Sequence, residues 1–170
     1  MGCDIHSFAE VRKNGKWEVV DDDVFPYTFS SCGSEPFHWR SYGIFGFLAN
    51  VRNYSRVPTI EGPKHAIPVD ASPTVVDKYE QWSGDAHTAS WLTLRQLLEF
   101  DYDKVFWDRR ITKQLGPNCW TGVGLAENEV TEGGHPTVRT FLGEHFFGHL
   151  EVLKTLGALD DVRIVFWFDN

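Results

Sequence analysis

The stretch DIHSFAEVR, residues 4–12, alternates along a strand and is followed across Asn14-Gly15 by a shorter run, KWEVV, residues 16–20. Asn-Gly between two alternating runs is typical of a type I′ hairpin, because both central residues of that turn need a positive φ. We therefore predict paired strands over 4–12 and 16–20. Ile5, Ala9 and Val11 should share one face of the first strand.

The far end of the sequence carries another strand candidate. The apolar run VRIVFWF, residues 162–168, is too short for an independent helix and predicts a buried strand beside the hairpin. Apolar spacing predicts helices over 41–53, 91–100, 103–115 and 137–156. Ser72-Pro73, a cap followed by proline at the first helical position, predicts a further helix over 74–81. Proline, glycine and polar residues predict loops over 21–38, 54–73, 82–90 and 116–137. We expect one α+β domain, residues 1–170, in which helices and long loops pack on an antiparallel sheet.

The composition limits the kinds of binding partner and the cellular compartment that we expect. A net charge of −8 argues against a protein that binds long nucleic acid, which needs a basic face, but allows a small anion held by a few arginines. Three widely spaced cysteines argue against a disulfide framework or a zinc ribbon and fit a reducing cytoplasm. We expect no membrane partner, because neither a leader pattern nor an apolar run of about 18 residues occurs.

The first candidate site lies at the start of the first strand. Side chains alternate along a strand, so Asp4 and His6 should point to one face, and Cys3 and Ile5 to the other. A carboxylate and an imidazole on one face can bind a divalent metal ion, or the carboxylate can orient a histidine that transfers protons. The competing interpretation is that Asp4 caps the sheet edge and His6 is a surface residue. Cys3 should be a buried, unreactive thiol.

The Asp-x-His pattern recurs at Asp85 and His87, in a polar turn before a predicted helix that Ser90 would cap. Such groups at a helix N-terminus suit a phosphate, although local turn chemistry explains them equally well. If the two units meet, Asp4, His6, Asp85 and His87 would bind a divalent metal of the kind used in phosphoester hydrolysis. The catalytic candidates are then Asp4, His6 and His87.

Arginines next to aromatic residues form a third group of candidates. Guanidinium forks match phosphates in a bidentate manner, and a neighbouring ring can stack on a base. The candidate ligand-binding residues are Arg40, Tyr42, Arg52, Asn53, Trp91 and Arg95. Surface salt bridges explain any single arginine equally well. His145 and His149 lack the glutamate of a His-Glu-x-x-His metal motif, which favours a structural role for them.

Several segments together resemble a family of small proteins from tailed bacteriophages and prophages. They are the opening MGCDIH, NGKW at 14–17, YGIFGFLANVRN at 42–53, the block from His87 to Leu98, and the closing VRIVFWFDN at 162–170. The resemblance spans most of the chain. It departs from the family in the 54–73 loop, where IEGPK at 60–64 stands in place of an expected Gly-rich segment and Pro-Arg-Gly-Leu-Pro stretch. The resemblance implies an accessory protein that acts in the host bacterial cytoplasm.

Three functional hypotheses follow. The leading one is a counter-defence hydrolase, a phosphodiesterase that cleaves a small nucleotide messenger with a divalent metal ion as cofactor. The second is a sponge that sequesters a cyclic nucleotide without chemistry, and the third is a protein that inhibits a host enzyme through aromatic loops. The counter-defence role rests on analogy with other small phage proteins. All three are compatible with a homo-oligomer.

Overall fold

A computed structural model describes residues 2–28, 30–82, 84–110, 114–116, 119–120 and 134–170, with backbone alone for 28, 114–116 and 119–120. Its elements in chain order are β1 Asp4–Lys13, β2 Lys16–Val19, β3 Phe25–Thr28, β4 Ser31–Gly33, α1 Tyr42–Ala49, α2 Pro73–Gln81, β5 His87–Thr93, α3 Leu94–Glu99, β6 Gln114–Gly116, β7 Cys119–Trp120, α4 Val138–Leu156 and β8 Val162–Asp169. The predicted α+β class is confirmed. None of the helices in these ranges is long and apolar enough to cross a membrane.

The main sheet runs in the order β2-β1-β8-β5, with antiparallel neighbours throughout. The predicted hairpin is confirmed, and its turn residues Asn14 and Gly15 have φ of 50° and 77°. The predicted closing strand is confirmed as β8, which lies between β1 and β5. Its register places Asp169 opposite Asp4 and Trp167 opposite His6.

Helices cover both faces of this sheet. On one face, Ile5 and Phe168 pack into a large core with residues of α1, α3 and α4. On the other face, Val165 and Trp167 pack with residues of α2. Because both faces of β8 are buried, its sequence is a continuous apolar run instead of an alternating one.

The predicted boundaries around β5 are wrong. Residues 87–93 form a strand, although we predicted a polar turn over 82–90 and a helix over 91–100. The helix α3 begins only at Leu94, because Thr93 is the residue that caps it. The Thr93 hydroxyl accepts from the Gln96 N–H, and the Gln96 side chain accepts in return from the Thr93 N–H. Ser90, our predicted cap, accepts instead from the backbone N–H of Lys64.

Two further predictions fail because backbone groups find partners elsewhere. The predicted 21–38 loop contains a hairpin of β3 and β4. The predicted 103–115 helix is absent over 103–110, since Phe106 and Asp108 donate to the carbonyls of Pro136 and Gly134. Gln114 begins β6, and residues 111–113 lie outside the described ranges. Most of the predicted 116–137 loop also lies outside the described ranges.

The remaining helices match their predictions in place but not always in length. The predicted 41–53 helix ends at Ala49, because Asn50 and Arg52 adopt left-handed backbone angles, φ 58° and 48°. The 74–81 and 137–156 helices are confirmed as α2 and α4. α4 is kinked at Gly143, whose φ of 78° interrupts the helix.

Candidate functional site

Charged side chains gather at the end of the sheet where β1 begins and β8 ends. We call this group the terminal cluster and define it as Asp4, His6, Arg40, Arg52 and Asp169. Asp4 and His6 are half-buried on one face of β1, while Cys3 and Ile5 are buried on the other. The alternation along β1 therefore matches its predicted division into two faces.

The imidazole of the cluster is paired with a carboxylate that the sequence analysis missed. His6 Nε2 lies 3.2 Å from Asp169 Oδ2, and the two side chains are 23% and 18% exposed. The backbone N–H of Asp4 donates to Asp169 Oδ1 at 3.1 Å, which holds that carboxylate in place. With Nε2–H donating to Asp169, the second ring nitrogen, Nδ1, is an acceptor, and no side chain in the described ranges binds it.

Asp4 is engaged by a guanidinium instead of by His6. Arg40 donates from Nε to Asp4 Oδ1 at 2.7 Å and from Nη2 to Asp4 Oδ2 at 2.5 Å. These bonds lower the pKa of the Asp4 carboxyl and raise the pKa of Arg40. Our expectation that Asp4 and His6 act directly on each other is thus corrected: each has its own partner of opposite charge.

A second guanidinium lies on the same end of the sheet. Arg52 donates from Nη2 to Asn170 Oδ1 at 3.0 Å and from Nη1 to the Tyr54 hydroxyl at 3.4 Å. Burial raises the pKa of the nearby Cys3 thiol, and the positive charge of Arg52 opposes that rise. The raised pKa agrees with the expectation of an unreactive thiol.

Asn53 shapes the loop that presents Arg52. Its Oδ1 accepts from the Val57 N–H and the Ser55 hydroxyl, and its Nδ2 donates to the Val57 carbonyl. Tyr42, another ligand-binding candidate, packs edge-on against Tyr54 with ring centroids 6.0 Å apart. Asn53 thus positions the loop, and Tyr42 borders Arg52.

Aromatic rings flank the imidazole. The ring centroid of His6 lies 4.1 Å from that of Trp82, at the end of α2, and 5.8 Å from that of Trp167. Trp167 is fully buried, whereas Trp82 is only partly so. The terminal cluster therefore combines guanidiniums with a partly exposed aromatic face, which suits a ligand that carries both a phosphate and a ring.

The second Asp-x-His unit does not join this group. His87 lies opposite Phe168, one position along β8 from the partner of His6, and paired residues share a face. Its ring stacks on Phe168 and its Nδ1 bonds the Thr88 hydroxyl, while Asp85 is exposed. No set of three metal-binding side chains comes together anywhere in the described ranges. The two Asp-x-His units therefore do not meet among the described residues, and a divalent metal cofactor as such stays a prediction.

Two of the ligand-binding candidates lie at the other end of β8. Arg95 binds both oxygens of Asp160, just before β8, at 2.8 and 2.7 Å. Trp91 is opposite Val165, and the Lys64 ammonium stands over its ring. Neither residue belongs to the terminal cluster.

The histidine pair on α4 has a structural setting. His149 is fully buried, accepts from the Phe37 N–H at Nδ1 and donates from Nε2 to the Pro26 carbonyl, at 3.0 and 2.8 Å. Burial lowers its pKa to about 4, so the ring is neutral near pH 7. His149 thereby attaches the β3–β4 region to α4, and His145 packs beside it.

Asp169, Trp82 and Asn170 are the members of the site region that sequence analysis missed. A polar residue that closes the apolar run of β8 marks Asp169 as a candidate, but only the strand register places it beside His6. Comparison with known proteins gave no match to a family model, a curated protein or a solved structure.

Proposed function

We propose that this chain is a phage accessory protein that acts in counter-defence, in the bacterial cytoplasm, by hydrolysing a phosphodiester bond of a small nucleotide. The observation that supports it is the His6–Asp169 pair, with a ring nitrogen left over, at the same end of the sheet as the guanidiniums of Arg40 and Arg52. A carboxylate that orients an imidazole is the usual arrangement of a histidine general base.

The chemistry assigns one role to each residue. His6 Nδ1 takes a proton from a water molecule, and the water oxygen attacks phosphorus. The bond from phosphorus to the leaving ester oxygen breaks, and that oxygen takes a proton from solvent. Asp169 orients His6 and stabilises the imidazolium that forms, while Arg40 and Arg52 bind the charged phosphate oxygens.

The described side chains do not form a ready divalent-metal site, so no step is assigned to a metal. Both oxygens of Asp4 are bound to Arg40, and His87 lies on the face opposite to His6. A metal-dependent reaction would require Asp4 to exchange Arg40 for the ion. Comparing activity with and without a chelator tests that requirement.

A second candidate function is sequestration without turnover. It is supported by the Arg40–Asp4 pair and by the ring of Trp82 beside His6. A ligand phosphate can replace Asp4 on Arg40, and its base can stack on Trp82. Such a site retains a nucleotide even if His6 never takes a proton.

One experiment separates the two candidates. Purified protein is incubated with a panel of linear and cyclic di- and trinucleotides, with and without EDTA, and the mixture is analysed by mass spectrometry before and after heat denaturation. Hydrolysis predicts new products with wild type and none with His6→Asn. Sequestration predicts intact nucleotide that is released only on denaturation.

The matched control is His65→Asn, which changes an exposed histidine of the 54–73 loop. It should behave as wild type in both assays. If wild type neither cleaves nor retains any nucleotide of the panel, both candidates fail. Inhibition of a host protein then becomes the hypothesis to test, by pull-down from a host lysate.

A further inference from the structure

Two arginines differ from the others in the described ranges. Six arginines bind a carboxylate: Arg12, Arg40, Arg95, Arg110, Arg139 and Arg163. Arg52 binds the Asn170 amide and the Tyr54 hydroxyl. Arg56 and Arg109 bind neither a carboxylate nor an amide of any described residue. In a protein of net charge −8, two guanidiniums without a carboxylate partner among the described residues are unexpected.

These two arginines line the same cavity. Its volume is about 570 Å³, and both residues are exposed at its surface. That volume lies within the range of small-molecule sites, roughly 300–1,000 Å³. Two like charges at one cavity repel each other, and a bound anion would turn that repulsion into attraction.

The backbone fixes the two arginines relative to each other. The N–H of Arg109 donates to the carbonyl of Ser55, the residue before Arg56, at 3.1 Å. Ser55 is buried, and its hydroxyl donates to Asn53 at 3.1 Å. Arg56 itself has a left-handed φ of 60°, a conformation that costs energy in residues other than glycine. The backbones of the two arginines are therefore held in place before any ligand arrives.

The carboxylate next in sequence does not neutralise Arg109. Asp108 accepts from the backbone N–H, Nε and Nη2 of Arg110, at 2.9, 3.1 and 3.0 Å. Arg109 lies instead over the ring of Trp107. The Trp107 indole Nε1 is buried and has no partner in the described ranges, and Trp107 is not among the described residues that line the cavity.

We infer that Arg56 and Arg109, supported by Trp107, form a binding site for a phosphate or diphosphate group of a small ligand. Guanidinium forks bind phosphate oxygens in a bidentate manner, and the Trp107 ring holds Arg109 by a cation–π contact. None of these residues belongs to the terminal cluster, so the inference stands whether or not His6 hydrolyses anything.

The test is calorimetric titration of the full chain with inorganic pyrophosphate at low ionic strength. Wild type should bind it saturably, and Arg56→Gln and Arg109→Gln should each weaken binding by about tenfold or more. Trp107→Phe keeps an aromatic ring beside Arg109, so it should weaken binding less. The matched control is Arg139→Gln, which removes an exposed guanidinium paired with Asp103; it should bind as wild type does.

Two additional variants keep the outcome decisive. Arg56→Lys keeps the charge and removes the fork, and it should also lose affinity; it replaces Arg56→Gln if that variant does not fold. His6→Asn should abolish nucleotide hydrolysis but bind pyrophosphate normally. The inference is overturned if wild type shows no saturable binding, or if Arg139→Gln loses as much affinity as Arg56→Gln and Arg109→Gln.

Discussion

The β1–β8 strand pair carries charged groups on one face at both of its ends, and the two ends differ in exposure. At one end, the side chains of Glu10 and Arg163 are 0% and 3% exposed. At the other, His6 and Asp169 are 23% and 18% exposed. Charged side chains on the same two strands therefore form a buried pair at one end and a partly exposed pair at the other.

Each nitrogen of the Arg163 guanidinium at the buried end is bound within the protein. Arg163 donates from Nε to Glu10 at 2.7 Å, from Nη1 to the Asp70 carboxylate at 2.8 Å and from Nη2 to the Asp70 carbonyl at 3.2 Å. The second oxygen of Glu10 accepts from the Ser72 N–H, and Arg163 lies 3.9 Å from the ring centroid of Trp17. This end fastens the 54–73 loop to the sheet, and its Glu10–Arg163 pair is closed to solvent. The buried end therefore stabilises the fold, whereas groups at the partly exposed end can contact a ligand.

Disrupting the buried Glu10–Arg163 pair should produce the largest loss of stability. Arg163→Met leaves Glu10 charged and unpaired, so the free energy of unfolding should fall by about 3–5 kcal/mol in urea denaturation. The control is Arg12→Gln, whose pair with Asp161 is 43% and 40% exposed; it should lose less than about 1 kcal/mol. Equal losses in the two variants would contradict the comparison.

A buried histidine, His149, should make the stability of the folded protein depend on pH. The pKa of His149 is lowered to about 4 in the folded protein, against 6.5 for the free side chain. The unfolded chain therefore takes up this proton first as the pH falls. Stability should drop by roughly 3 kcal/mol between pH 6.5 and 4 and level off for this group below that.

Urea denaturation at a series of pH values measures this drop. His149→Gln should flatten the curve between pH 6.5 and 4, although it should lower stability at pH 7. His65→Asn, which changes an exposed histidine, should reproduce the wild-type slope. A slope that survives in His149→Gln would assign the titration to other groups.

At the open end, loss of the orienting carboxylate should affect activity more than stability. Asp169→Asn is nearly isosteric but no longer stabilises an imidazolium, so we expect turnover of a cleaved nucleotide to fall about 100-fold. The unfolding free energy should fall by less than it does in Arg163→Met, since the His6–Asp169 pair is partly exposed. Asp161→Asn, at an exposed pair on the opposite end of β8, is the control. A variant that cleaves at the wild-type rate would remove Asp169 from the mechanism.

The smallest effect concerns Asp4. Asp4→Asn releases Arg40 from its carboxylate partner, so nucleotide affinity should rise by about two- to fivefold, the size expected for an exposed ion pair. Equilibrium binding measurements at two salt concentrations check this. A loss of affinity would instead mean that Asp4 contacts the ligand, directly or through a metal ion.

The fold was predictable where local chemistry decides the structure. Asn14-Gly15 marked the hairpin, and Ser72-Pro73 marked the start of α2. The strand β5 was not predictable in the same way, because it forms by pairing with β8, which is distant in sequence, and no local pattern shows that pairing. The leucine spacing over 91–98 fits a helix, but residues 91–93 belong to β5 and pair with β8.

The site was predictable only in part, for a related reason. Alternation along β1 put Asp4 and His6 on one face without any knowledge of the other strands. The partner of His6 depends on the register between β1 and β8, which joins residues 163 positions apart. Nothing local marks Asp169 as the neighbour of His6, so the sequence pointed to Asp4 instead.

The position of β8 has a consequence for how the chain acquires its structure. This central strand pairs with β1 and β5, and the bond between Asp4 and Asp169 spans 165 positions. During synthesis from the N-terminus, β1 and β5 leave the ribosome well before the strand that separates them. Their inner edges stay unpaired for that interval, which predicts slow folding and a need for chaperones or low temperature to obtain protein that has not aggregated.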